Sequence, residues 1–216
     1  MRLSEGFFSK KRMVKLPDNQ STFSDLQLWL QLKNGSELAL GKLIKKYFNP
    51  LQNYGYKFVR DEDFVKDCVQ EVFIEVWQRR DRLSTPDSVR AYLLSSVRKR
   101  VLREGFRQQI LKEEEPANLE NDWHFSELPH ERLLIEAEDE AQLKHKISNL
   151  LNQLPKRQKE AVYLQFYQNL EREEIAQIMD INPQSVSNLL QTAFKLFREN
   201  WQMIYTLLGM QELFLF

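Results

Sequence analysis

Cysteine is almost missing from this 216-residue chain: Cys68 stands alone. No disulfide can form within the chain, and such thiol usage fits a reducing compartment. With only 6 glycines and 7 prolines, little interrupts a helix, and no glycine-rich phosphate loop can be assembled. No apolar run reaches the ~18–20 residues that a membrane span needs. Lys10, Lys11 and Arg12 near the start are not followed by an apolar signal core, so a cytoplasmic protein without a membrane span is expected. The three histidines, His124, His130 and His145, lie in or beside an acidic stretch without a ligand spacing. There is no His-Glu-x-x-His and no Cys-x-x-Cys, so neither a metal nor another cofactor is expected. Adjacent acids such as Glu173 and Glu174 read as helix N-terminal charges rather than a catalytic pair. Cys68 falls among apolar residues, as a structural thiol does. The chain is expected not to be an enzyme.

What the sequence does have is helical periodicity, and the fold class it implies is all-α, with two small helical domains. Residues 1–23 read as a loose polar tail. Ser24 or Asp25 can cap a first helix carrying Leu26, Trp29 and Leu32, stopped by Asn34-Gly35. Ser36 caps a second, and Pro50 marks a break or kink in it. A third, from about Asp61 to Arg80, repeats Phe64, Val65, Cys68, Val69, Val72, Phe73, Val76 and Trp77 at three and four residues. Asp67, Gln70, Glu71 and Glu75 occupy its other face. A loop containing Ser84-Thr85-Pro86 leads to a fourth helix, from Ser88 to about Phe106. Residues 24–107 thus form one domain.

The formal net charge is zero, but its layout is strongly dipolar. Arg79 to Arg107 holds nine Lys or Arg against three acids, a balance of +6. Lys112 to Glu140 holds eleven acids against two bases, a balance of −9. The acidic stretch, with Pro116 and Pro129 and little periodicity, reads as a linker over 108–142. The basic band can neutralise several phosphates and release their counterions; the alternative is a solvated helix face. Polar side chains in the Ser84–Ser88 loop could touch an unstacked base.

A second helical domain is expected over 143–200, and within it Glu171–Phe197 has the pattern of a helix-turn-helix. Glu174, Ile175, Ala176 and Met179 form the inner face of its first helix, and Ile181 fills the corner. Asn182 is a good N-cap with Pro183 in the tolerant first-turn position. Val186 and Leu190 return to the core, presenting the second helix as if for a major groove. An ordinary helical hairpin is the alternative. Residues 201–216 form an apolar tail, read as an extra packed helix or else as a partner-binding strip.

Two groups of residues carry a family resemblance. Asp61-Glu62-Asp63-Phe64, Val69-Gln70-Glu71-Val72-Phe73, Trp77 and Arg90-Ala91-Tyr92-Leu93, followed by the basic helix, resemble region 2 of bacterial RNA polymerase sigma factors. Leu154-Pro155, Glu174-Ile175-Ala176, Ser185-Val186, Ala193 and Phe197-Arg198 resemble their region 4. Two such regions with an acidic linker are the plan of the extracytoplasmic-function group of the sigma-70 family.

The resemblance implies a promoter-specificity subunit that binds core RNA polymerase and directs transcription initiation. Asp67, Gln70 and Glu71 then match the core-polymerase-binding positions. Arg82, Ser84, Thr85, Ser88, Arg98, Lys99 and Arg103 match those that open and read the −10 element, where a separated strand exposes its bases. Gln184, Ser185, Ser187, Asn188, Gln191, Lys195 and Arg198 match those that read duplex DNA at the −35 element. The acidic linker would lie along basic channels of the polymerase.

Three departures stand out. Lys99 replaces a frequent asparagine and cannot offer a base edge the same paired donor and acceptor. Asp180 stands in the turn where glycine is frequent, which Asp tolerates. Pro183 to Phe194 contains no Lys or Arg, with Ser187, Leu189 and Thr192 where arginines are usual, and Leu189 is placed as an exposed apolar residue on the reading face. Weak intrinsic −35 recognition is therefore expected, with recruitment by another DNA-bound factor. An anti-sigma factor is a further partner that the resemblance suggests. Two rivals are a stand-alone helix-turn-helix regulator that does not engage polymerase, and an interaction protein that occupies polymerase without reading DNA.

Overall fold

The computed structural model describes residues 19–111 and 148–213, with side-chain surroundings for 24–108 and 148–199. Residues 112–142 of the acidic linker and the three histidines therefore lie outside the described residues, while 108–111, expected to open the linker, continue the helix before it. Helix α1 (Asn19–Lys33) begins within the expected N-terminal tail and ends where Gly35 takes φ +85°. That left-handed turn lets Ser36 N–H reach the Gln31 carbonyl at 3.0 Å. Asp25 is not a cap. It sits inside the helix, 4% exposed, and accepts from Lys46 at 2.6 Å and from the Tyr47 hydroxyl. A carboxylate with partners this close on α2 can be buried there, whereas a cap would face water.

Helix α2 (Glu37–Gly55) starts as expected, with Ser36 Oγ accepting the Ala39 N–H at 3.3 Å. It runs on past Pro50, burying Ala39, Leu43, Tyr47, Leu51 and Tyr54 along one stripe. Gly55 is required at its end, because a Cβ there would stand 2.7 Å from Val65 Cγ1. Helix α3 (Glu62–Gln78) is capped by Asp61, which accepts the Phe64 N–H at 3.0 Å. Its stripe is the expected one, with Phe64 and Trp77 half-buried at its edges. After a 3-10 turn at Arg80–Arg82, Ser88 Oγ caps α4 (Val89–Leu111) through the Ala91 N–H at 3.2 Å.

The second region opens with α5, whose described part is 148–153, then turns at Pro155 into α6 (Lys156–Val162) and a π-helical turn, Tyr163–Tyr167. Helix α7 (Arg172–Met179) has a capping box in which the Glu174 side chain accepts the Glu171 N–H at 2.9 Å. Asp180 takes the left-handed conformation, φ 55° and ψ 50°. Asn182 Oδ1 accepts the Ser185 N–H at 2.7 Å, with Pro183 opening α8 (Pro183–Leu213). Residues 201–213 of the expected separate tail instead continue this helix, which runs on through Asn200 and Gly209. Among the described residues every regular element is helical.

The two regions are not separated in this arrangement. Helix α4 packs against α7, and one buried cluster runs from Trp29 through Val97 to Ile175 and Leu190.

Candidate nucleic-acid interface

The loop between α3 and α4 is pinned from beneath. Trp29, fully buried, donates its Nε1–H to the Ser84 carbonyl at 3.1 Å and meets Tyr92 edge-on at 5.1 Å. Arg82, Ser84 and Thr85 consequently project outward and are exposed. Ser88 does not; its hydroxyl is occupied as the α4 cap. Arg80 folds back over the Trp77 ring at 4.5 Å.

Most of the basic band is already partnered. Arg79 meets Glu75 at 2.9 Å, Arg100 bridges Glu71 and Glu75, and Arg103 and Arg107 both reach Glu104. Arg98 is only 7% exposed, and its Nε donates to Glu160 Oε1 at 2.7 Å. The same Glu160 oxygen accepts from the Tyr54 hydroxyl at 2.7 Å, and Arg98 lies 5.8 Å from the Phe58 ring. Within this band, Lys99, Arg82 and Arg80 have no carboxylate partner among the described residues, Arg80 donating instead to the Trp77 carbonyl. Lys99 is exposed at the mouth of a polar cleft of about 420 Å³ between α4 and α7, opposite Gln177 and Asp180.

On α3, Asp67, Gln70 and Glu71 are exposed together, Glu71 being tied to Arg100. Beside Gln70 runs an apolar groove of about 340 Å³ between α2 and α3, lined by Leu40, Ile44, Phe48, Phe73, Ile74 and Trp77. Sequence reasoning missed this groove, although Ile74 signals it: an apolar residue on the polar face, 52% exposed. Below the same helix, burial foremost, and then Glu71, push the Cys68 thiol up to about 11. That thiol stays protonated at neutral pH and is a poor nucleophile.

The exposed face of α8 is neutral and largely self-satisfied. Gln184 donates to Asn188 at 3.1 Å, Ser187 to the Pro183 carbonyl at 3.1 Å and Thr192 to the Asn188 carbonyl at 2.9 Å. Gln191 and Arg198 are exposed, Ser185 is half-buried, and Lys195 lies 3.8 Å from Glu199. Leu189 is half-buried against the core rather than exposed. With Ile181 it floors a depression of about 300 Å³ whose rim carries Arg157. Arg157 was not foreseen, because it lies in α6, about thirty positions upstream of the helix it accompanies.

Both halves of this surface have counterparts in a known family. Sigma-70 region 2 matches residues 43–109, and Sigma-70, region 4 matches residues 144–196. The chain belongs to the sigma-70 family. Its two matched regions stand in the order expected of the extracytoplasmic-function plan, and members of this sigma factor family act in transcription initiation as DNA-binding proteins rather than enzymes. No curated protein matches the sequence. Among solved structures, CnrH in complex with the cytosolic domain of CnrY aligns at 16% identity and TM-score 0.52, covering 83% of this chain and 98% of that one. The sigma factor RpoE in complex with the anti-sigma factor NepR, from Bartonella quintana, also aligns at 16% identity and TM-score 0.52, covering 75% and 96%. These likenesses share the fold. Among the described residues no group of His, Cys, Asp and Glu could hold a metal ion, and no helix is long and apolar enough to cross a membrane.

Proposed function

We propose that this sigma-70-family protein is an alternative sigma factor of the extracytoplasmic-function group, which binds core RNA polymerase and directs promoter-specific initiation. The observation that carries this reading is the match of both regions, in order, on one chain. Core polymerase docks on α3 through Asp67, Gln70 and Glu71, with the adjoining apolar groove supplying the surface whose removal from water drives binding. The exposed loop residues Arg82, Ser84 and Thr85, with Lys99 and Arg103 on α4, take the unwound −10 strand. There a lysine or arginine answers phosphate and the loop's hydroxyls answer base edges.

Helix α8 faces the −35 duplex with Gln184, Ser185, Ser187, Asn188 and Gln191, flanked by Lys195, Arg198 and Arg157. Three cations near a neutral helix support weak intrinsic binding, since phosphate neutralisation supplies most of the affinity. A second DNA-bound factor recruiting the sigma to its promoters accounts for a reading face so poor in charge. Regulation by an anti-sigma factor is consistent with the complexes in which the two similar folds were solved.

The test is reconstitution with core polymerase. The expected result is co-elution with core on gel filtration and run-off transcripts that depend on the sigma, weak on isolated promoter fragments and stronger with a cell extract. Promoter binding without core, and no complex with core, would establish the stand-alone regulator instead. A stable core complex that initiates nowhere would establish the occupying protein.

A further inference from the structure

The junction between the two regions holds groups that a simple packing contact does not need. Glu160 on α6 is 3% exposed and Arg98 on α4 is 7% exposed, and they meet across 62 positions of sequence. The guanidinium engages both carboxylate oxygens, Nε at 2.7 Å and Nη2 at 3.4 Å, and the Tyr54 hydroxyl completes the set at 2.7 Å. Around it, Tyr54 and Tyr163 stack with centroids 6.0 Å apart and planes 8° from parallel. Arg90 on α4 donates to Gln168, which in turn donates to the Tyr163 hydroxyl at 2.9 Å. Together these groups tie the first region to the second.

We propose that Glu160 latches the chain in a closed state by occupying the Arg98 guanidinium of α4 as a phosphate would. A carboxylate offers a guanidinium fork two anionic oxygens to accept in parallel, as two oxygens of a tetrahedral phosphate also do. Burial makes the latch two-way. Both charges are matched when closed, and loss of either leaves the other stranded out of water. Opening frees Arg98 beside Lys99, whose cleft is walled by Gln177 and Asp180 while closed. The consequence for DNA rests on the reading of α4 as a strand-binding face: α6 and α7 then compete with the separated strand for one surface, and closure lowers apparent strand affinity by the fraction of molecules open.

Small-angle scattering on the full chain, with circular dichroism as the check on folding, tests the latch without DNA. Glu160→Gln is expected to enlarge the radius of gyration with helical signal intact, and the exchange Arg98→Glu with Glu160→Arg to restore the compact curve. An unchanged curve for Glu160→Gln, or an exchange variant as open as the single one, overturns the latch. If Glu160→Gln loses helical signal, Tyr54→Phe, which deletes one hydroxyl, decides by the same measurement: enlargement supports the latch and an unchanged curve overturns it. A fluorescent mixed-sequence single-stranded oligonucleotide then reads the consequence. Where closed outnumbers open by about ten to one, Glu160→Gln gains about tenfold in affinity. Enlargement without that gain keeps the latch and removes α4 as the strand face.

Discussion

Helices α4 and α8 invert what their sequences advertise. Helix α4 and the turn before it carry the densest positive charge in the chain, yet most of those cations are held by the protein's own carboxylates: Glu75, Glu71, Glu104 and Glu160. Helix α8 from Pro183 to Phe194 has no cation at all, but its polar side chains lie on an open face. Positive charge is thus abundant where it is engaged and scarce where the surface is free. Available charge, rather than formal charge, sets how many phosphates a helix can neutralise, because a cation leaving a carboxylate partner surrenders one interaction to form the other.

The largest effect that would break this comparison is removal of the buried cation. Arg98→Ala removes the partner of Glu160 and releases the junction, so the loss is capped by the cost of opening, about 1.4 kcal/mol where closed outnumbers open by about ten to one, whereas Arg198→Ala on the exposed face of α8 should stay within about 0.5 kcal/mol. Urea unfolding of both variants measures the difference, and equal losses would erase the contrast. Next in size is the scaffold of the neutral helix. Asn182→Ala removes the side-chain acceptor from the Ser185 N–H and should cost about 1 kcal/mol, seen as a lower urea midpoint.

Arming the neutral helix sharpens the comparison from the other side. Ser187→Arg with Gln191→Arg should steepen the salt dependence of duplex binding by about 0.9 in the log–log slope for each phosphate that a new arginine neutralises. Titrations of a labelled duplex at several salt concentrations give that slope; no change would mean that α8 does not face DNA. The smallest expected effect is alkaline. Cys68, pushed up to about 11 from 9.0, and Tyr54 and Tyr163, both raised above 10.0 by burial, keep their protons in the folded chain. Groups with raised folded values stabilise fully below their unfolded values and lose that contribution as pH rises, so stability should fall from about pH 9 upward. From Pro183 to Phe194 the polar side chains of α8 are only Ser, Asn, Gln and Thr, and they should contribute nothing to that slope. Urea midpoints from about pH 7 to about 10.5 check the sign, and a midpoint that rises with pH would contradict it.

Much of this architecture was legible because it rests on local rules. Ser36, Asp61, Ser88 and Asn182 each begin a helix by accepting an N–H three residues on, a spacing that sequence displays directly. The apolar stripe of α3 and the left-handed Asp180 were equally local. What sequence did not display is whatever depends on distant partners. Asp25 resembles a cap until Lys46 and Tyr47 are brought beside it. Arg98 resembles a free phosphate ligand until Glu160 arrives from 62 positions away. Arg157 comes beside the face of α8 only through packing of α6 on α8. Ile74 was the exception: its place on a polar face was visible, and the groove beside it could have been anticipated.

Helix α8 has a mechanical consequence. Its 31 residues run without interruption from Pro183 to Leu213, about 46 Å at 1.5 Å per residue. Gln184 to Gln191 occupy its first turns, and the remainder is a shaft attached to them. A body that grips the far end can therefore swing or twist the first turns without touching them, because a continuous helix transmits torque that a jointed tail would absorb.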